Sequence, residues 1–399
     1  MRNNIVSLYY IITIECKYSS SSCLRTGKLL RYTLPMQLLH YTGLPGLADF
    51  GIEIPVLDTR ATRTIEELEA HPDIGVMLRS LMITEQSETL SEEDLLRAHS
   101  REYIGRLNSD RTKTLYEAYE LIDERGNFQR YNPGTARYPL EELYEVMLRR
   151  AAGSLQCMRM ALESRFCFYF GGGFHHAHYD FGHGFCLIND AVIAARRLQA
   201  EGLVHTVWII DSDAHKGDGT AAITREDPSI RTLSIHMAKG WPLARFPLTA
   251  RGELHPSFIP SDIDIPIADG REVEYAERLR EGLLQLDEYP RPDIAVVLFG
   301  ADPYERDRLD SAKPLRLSLR QLNERDDAIR NFLAERDIPA AYLMAGGYGP
   351  HAWEVNYQFL EKQLLLEKSA LERNALEKAD QGRNALEKTD LDRDAGGGR

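Results

Sequence analysis

Cysteine is scarce in this chain. Five occur in 399 residues, at Cys16, Cys23, Cys157, Cys167 and Cys186, and none form a Cys-x-x-Cys pair. An odd count leaves a thiol unpaired, so a disulfide framework is not expected and a reducing, cytoplasmic setting is. Positive charge is in deficit. Forty-eight Lys and Arg face 61 Asp and Glu, for a net charge of −13, which argues against an electrostatic nucleic-acid binder. An uninterrupted long apolar run is also missing. Residues 5–14 are apolar after Arg2, but two tyrosines and Glu15 interrupt the pattern and no small-x-small cleavage site follows, so neither a signal peptide nor a membrane partner is expected. What is plentiful is core-forming residue. With 43% hydrophobic and 27% charged residues, the chain suffices for one large α/β domain with appendages.

Four apolar runs end in residues that carry chemistry. Val207-Trp208-Ile209-Ile210 has the length and composition of a buried strand and leads into Asp211-Ser212-Asp213-Ala214-His215-Lys216-Gly217-Asp218-Gly219. Side chains two apart share a face of an extended chain, so Asp213 and His215 point together toward one ion. Alone, the segment reads equally well as a strand-to-helix turn in which Asp caps a helix. Phe166–Phe170 leads into Gly171-Gly172-Gly173-Phe174-His175-His176, and two adjacent histidines after a glycine turn are poor core fillers. Ile294–Phe299 leads through Gly300 and Ala301 to Asp302, and Tyr342-Leu343-Met344-Ala345-Gly346-Gly347 leads to Tyr348. Ligand sites of open α/β sheets lie at the carboxyl ends of strands, and carboxylates with imidazoles there suit a divalent metal.

Between these segments the pattern alternates. Helices are expected over Thr64–Glu69, Glu92–Leu107, Leu140–Glu163, Glu272–Leu286 and Leu317–Glu335, and strands over Gln37–Tyr41, Thr232–His236 and Ala340–Met344. This alternation implies a three-layer α/β/α fold with a central, mainly parallel sheet. Ser91 to Asp94 suggests a capping box, and His99 and Tyr103 read as packing residues. The polar loop Arg125–Tyr138 is expected to rim the site. After Leu366 the chain repeats Ala-Leu-Glu with Lys or Arg, which is expected to be mostly disordered.

In combination the motifs Gly-Gly-Gly-Phe-His-His, Asp-Ala-His-Lys-Gly-Asp-Gly-Thr and Gly-Ala-Asp-Pro-Tyr resemble the histone deacetylase family, of the arginase–deacetylase fold, and are most similar to its bacterial and class IV branch. The resemblance covers residues 36–365. It leaves 1–35 as an extension, with Met36 as the functional start, and 366–399 as a low-complexity tail. It implies one Zn2+ per chain on Asp213, His215 and Asp302, with a fourth position open for water. It implies His176 as general base and acid, His175 as its electrostatic partner, and Asp211 and Asp218 as the carboxylates orienting His175 and His176. Tyr348 would donate to the oxyanion. Gly184, Phe185, Gly346 and Gly347 would line a substrate tunnel, with Trp241-Pro242 opposite. K+ as a structural ion would sit by Asp211, Asp213, His215, Ser234 and Ile235.

The implied reaction is hydrolysis of the amide of an acylated lysine in a peptide or protein. Alternatives are an acylated polyamine or other small amine, and, from another class, a non-catalytic acyl-lysine-binding module. A second metal, as in arginase-like sequences, would need a further carboxylate where Pro303 and Tyr304 stand. Three departures from the family pattern stand out: Lys216 where many relatives have His or Gln, Asp218 where class II and several class IV relatives have Asn, and Ala345 in place of a glycine. Lys216 is expected either to lower pKa values around the metal or to point into solvent.

Overall fold

A computed structural model describes residues 35–57, 59–244, 246–249 and 251–396, with side chains through Leu376. The expectations for the N-terminal extension, including Cys16 and Cys23, lie outside the described residues. Eight strands form one sheet: β1 (Gln37–Leu39), β2 (Met82–Ile83), β3 (Phe166–Tyr169), β4 (Val207–Asp211), β5 (Ile230–Met237), β6 (Ile263–Ile267), β7 (Ile294–Phe299) and β8 (Ala340–Met344). Their order is β2-β1-β3-β8-β7-β4-β5-β6, and every pairing is parallel. The central strands β3, β4, β7 and β8 are buried at every residue, as continuous apolar runs in parallel sheets should be. At the edge, β6 alternates burial and carries Pro266, which an edge strand tolerates.

The helices are α1 (Thr59–Ala70), α2 (Gly75–Leu81), α3 (Glu92–Leu95), α4 (Arg101–Ser109), α5 (Arg111–Ala118), α6 (Leu143–Ser164), α7 (Asp190–Ala200), α8 (Asp218–Thr224), α9 (Tyr275–Leu286), α10 (Leu319–Glu335) and α11 (Ala352–Gly396). Strand side chains alternate between two cores. Phe166, Phe168, Trp208, Ile210 and Val297 meet α1, α2, α9, α10 and α11 through Leu68, Leu78, Leu283, Ile329 and Phe359. Cys167, Tyr169, Ile209, Val296 and Leu298 meet α4, α5, α6 and α7 through Leu107, Leu115, Leu155 and Val192. The expected three-layer α/β/α architecture is thus present.

Two local expectations change. The single helix expected over Glu92–Leu107 is broken into α3 and α4. His99 between them uses its ring to bridge His178 O at 2.8 Å and Asn189 N at 2.9 Å, and Ser100 starts α4 by accepting from Tyr103 N. The tail expected to be mostly disordered continues α11 as helix through Gly396. Ala, Leu, Glu, Lys and Arg are strong helix formers, although Leu366 and Leu376 remain exposed. No helix among the described residues is long and apolar enough to cross a membrane.

Candidate active site

The four motif-bearing strands are consecutive in the sheet, β3-β8-β7-β4, so their carboxyl ends open onto one place. After β3, Asp190 at the start of α7 accepts from Gly173 N at 2.8 Å and Phe174 N at 2.7 Å, which fixes the turn that presents His175 and His176. Thr220 N of α8 donates to His175 O at 3.0 Å. The Asp190 carboxylate and the Thr220 amide thus hold the histidine-bearing turn from two helices.

Asp213, His215 and Asp302 converge, their donor atoms within 4.8 Å of one another and all buried. His215 Nδ1 lies 2.9 Å from Asp302 Oδ2 and 3.2 Å from Asp213 Oδ1, while its Nε2 is 3.0 Å from Ser311 Oγ. Ser311 can accept the Nε2 hydrogen, leaving the Nδ1 lone pair facing the carboxylates. Ala214 N donates to Asp302 Oδ1 at 3.0 Å and Gly346 N to Asp213 Oδ2 at 2.8 Å. A Cβ at Gly346 would stand 2.3 Å from that Asp213 oxygen, so only glycine lets the β8 loop come this close. Burial and the Asp213 carboxylate push Asp302 up to about 6. Burial alone would lower His215, but the two carboxylates outweigh it and raise it to about 10. A buried pair of carboxylates that needs a protonated imidazole for charge balance fits a divalent cation, since such an ion takes over that proton's role.

The adjacent imidazoles have opposite characters. His175 Nδ1 is 2.7 Å from Asp211 Oδ2, and His176 Nδ1 is 2.7 Å from Asp218 Oδ1. Burial works against the charge on His175, but Asp211 and Asp213 overcome it and hold His175 at about 9. Burial and the charge on His175 push His176 well below the ordinary imidazole value, against the pull of Asp218. Burial, with Asp213 and Asp302, holds the Tyr348 phenol far above its usual range. With no ion bound, the surroundings thus favour the proton on His175 and disfavour it on His176, beside a phenol held toward its protonated form.

A cavity of about 290 Å³ is lined by His175, His176, Asp213 and Tyr348, with Gly184, Phe185 and Gly346 of the expected tunnel; Trp241 and Gly347 do not line it. Phe185 faces Tyr348 at 6.5 Å between ring centroids. Trp241 packs instead edge-on against His176 at 4.5 Å and beside His183 at 5.0 Å. From the polar loop Arg125–Tyr138, Arg130 lies over the Phe185 ring at 5.7 Å. Asp211 and Ser234 of the expected cation site are register partners, as are Ser234 and Asp264. Lys216 does not point into solvent: it is buried and pairs with Asp264 at 2.8 Å, because a nearby carboxylate is a better partner for a buried ammonium than a distant surface.

Several residues at the site went unread in the sequence. His178 Nε2 and His183 Nε2 join Asp218 Oδ2 at 3.1 and 3.0 Å; the signal was three histidines spaced within eight residues after a glycine turn. Arg325 is fully buried and donates to Ser212 O at 3.1 Å and Gly300 O at 2.6 Å, beneath the metal-binding loops. An arginine within the apolar stripe Leu322, Ile329, Phe332 was its signal. Asp307 accepts from Tyr348 N at 2.7 Å, and Arg60 donates to Ala345 O at 2.6 Å; nothing local in the sequence marks either.

The family model of the histone deacetylase domain matches residues 55–362, and the chain belongs to that family, on its bacterial-like side. It is 26% identical to histone deacetylase 2 of Arabidopsis thaliana over 65% of this chain and 61% of that protein. It is 25% identical to the acetoin utilization protein AcuC of Bacillus subtilis over 66% of each. The matched segments thus span less than two thirds of those relatives. A crystal structure of an HDAC homolog from Aquifex aeolicus shares the fold, with a TM-score of 0.57 at 21% identity, covering 85% of this chain and 84% of that one.

Proposed function

We propose that the chain is a zinc-dependent amidohydrolase that removes the acyl group from acylated lysine side chains. The observation that carries this reading is the opposite character of His175 and His176 beside a convergent Asp213–His215–Asp302 set. Bound by those three residues, a divalent ion supplies Lewis acidity to a water and to the substrate carbonyl. His176 has Nδ1 turned to Asp218, so its Nε2 is free to take the proton of the attacking water and return it to the leaving amine. His175, held on Asp211 through its own Nδ1, acts as the electrostatic partner of His176 rather than as the proton acceptor. Tyr348 keeps its phenolic hydrogen across the neutral range and donates it to the developing oxyanion. Asp307 and Arg60 position the loop that carries Tyr348. Phe185 offers an apolar wall to the lysine methylenes. K+ beside Asp211, Asp213, His215, Ser234 and Ile235, and a cytoplasmic setting in keeping with the three buried free thiols among the described residues, complete the reading.

The test is hydrolysis of acyl-lysine peptides and acetylated polyamines by the metal-loaded full chain, with and without chelator. Chelator-sensitive peptide turnover is expected, with kcat falling by ~10²–10³ in Tyr348→Phe, the range for losing one oxyanion donor. Turnover of polyamines alone would move the substrate to small amines. Absence of both turnover and stoichiometric divalent metal would overturn the reading.

A further inference from the structure

Asp218 has more imidazoles around it than a histidine–aspartate dyad requires. His176 Nδ1 sits on one carboxylate oxygen at 2.7 Å, and His178 Nε2 and His183 Nε2 share the other at 3.1 and 3.0 Å. Asp218 is fully buried, and the side chains of His178, His176 and His183 are 2%, 5% and 11% exposed. Atoms of His176, His183 and Asp218 lie within 4.8 Å of one another. Apolar rings enclose the group: Phe181 stacks on His178 at 4.5 Å and Trp241 packs beside His183 at 5.0 Å. Imidazole nitrogens gathered on one carboxylate in an apolar shell are donor types that zinc prefers, with His178 completing the set through its contact to the Asp218 oxygen that His183 shares. The slight exposure of His183 gives it an entry.

We propose that His176, His178, His183 and Asp218 form a second, inhibitory site for zinc or a similar nitrogen-seeking divalent ion. The effect on His176 follows from its ring. Hydrogen-bonded to Asp218, it carries its hydrogen on Nδ1 and keeps the Nε2 lone pair for the proton of water. Coordination through Nδ1 uses the Nδ1 lone pair, so the ring hydrogen moves to Nε2, which becomes a donor and ceases to be a base. His178 and His183, coordinating through Nε2, move their hydrogens to Nδ1 in the same way. Each ring exchanges one N–H bond for another by proton transfer with solvent, no other covalent bond changes, and removing the ion restores the base. Ion binding stands on the cluster alone, whereas inhibition rests on His176 being the proton acceptor of the proposed reaction.

The experiment titrates free Zn2+ over the zinc-loaded full-length protein in metal-buffered dialysis. It measures bound zinc by elemental analysis and, in parallel with Co2+, the absorption band of a tetrahedral nitrogen–oxygen site. Wild type is expected to bind a second ion at higher free zinc, with hydrolysis falling along that second isotherm. His183→Gln and His178→Phe should keep the first ion and shift the second midpoint by ~10-fold or more, the range for disturbing a metal site's supporting groups. Inhibition is read as the activity ratio between high and low free zinc within each protein, so a change in basal rate does not enter. One ion at all free zinc concentrations, or second-ion binding unmoved in both variants, overturns the site. A second ion that is lost in the variants yet leaves wild-type hydrolysis unchanged overturns the inhibition and the role of His176 together. If no substrate is turned over, the Proposed function fails and the stoichiometry still decides the site.

Discussion

The two halves of the site invert one another. On the β4–β7 side three carboxylates, Asp211, Asp213 and Asp302, surround two imidazoles, His175 and His215; around α8 one carboxylate, Asp218, serves three imidazoles, His176, His178 and His183. His175 and His176 are neighbours in the chain with matching 2.7 Å contacts to aspartate. Yet His175 is raised to about 9 and His176 is driven well below its ordinary value. The contact to one partner therefore does not set the proton. The balance of charge around each pair does: excess carboxylate makes a cation, whereas burial beside that cation makes a base. A catalytic set needs one of each, and the fold obtains both from adjacent residues by seating them against different strands and helices.

Breaking the carboxylate-rich half should have the largest effect. Asp302→Asn removes one donor of the convergent set, and activity is expected to fall to background together with stoichiometric metal, measured by elemental analysis. Retained metal at full occupancy would show that Asp302 is not a ligand. Breaking the imidazole-rich half comes next. His176→Ala should lower kcat/KM by ~10²–10⁴, the usual worth of a general base, with the ion on Asp213, His215 and Asp302 retained. His175→Ala should cost distinctly less, because His175 is not the proton acceptor. Equal losses in the two variants would dissolve the distinction between the halves.

Much of this contrast was legible in the sequence, for a physical reason. Buried apolar runs end shortly before Asp213, His215 and Asp302, so the region could be read locally, and the family resemblance then singled out these three, which stand in bends and turns just beyond β4 and β7. Residues that act from a distance could not. Arg325 reaches the Ser212 and Gly300 carbonyls from α10, and Asp307 reaches Tyr348 N from the loop after β7. Both depend on how loops far apart in sequence pack. The break at His99 was hidden likewise, because its ring is spent on His178 and Asn189 across |i−j| separations of 79 and 90. Of the two expectations for Lys216, the solvent-facing one fails for the same reason, since its partner Asp264 comes from β6.

A smaller effect should appear in the chelator-treated protein as pH dependence of stability. Asp302 and Asp307 are raised to about 6 and about 8, by burial first and then by Asp213 and Asp302 respectively. His175 and His215 are raised to about 9 and about 10. All four bind their protons more tightly folded than unfolded, so the stability they carry is complete below the unfolded values and is lost as pH climbs through the folded ones. The chelated protein should therefore melt lower at pH 9 than at pH 5.5. Zinc should shrink the difference by neutralising the carboxylates, and Asp307→Asn should flatten the part of the curve below about pH 8. A melting temperature that rises over this range without metal would contradict the charge balance drawn here.

The smallest expected change tests the seam between the halves. Gly184 has a φ of +60°, and a Cβ there would lie 2.2 Å from Trp241 Cη2 and 2.8 Å from His176 Cδ2. The indole is also 5.5 Å from His215, so it touches both halves, but it stands closest to His176. Gly184→Ala should cost ~1–2 kcal/mol for the left-handed backbone and push the indole toward His176. Its stability loss should show in a thermal melt. Its kinetic loss should appear in kcat with the bound-metal count unchanged, because His215 is anchored independently by Ser311 and the two carboxylates. A variant that lost metal as readily as activity would mean that Trp241 supports the metal-binding half, and that the two halves are one unit rather than two.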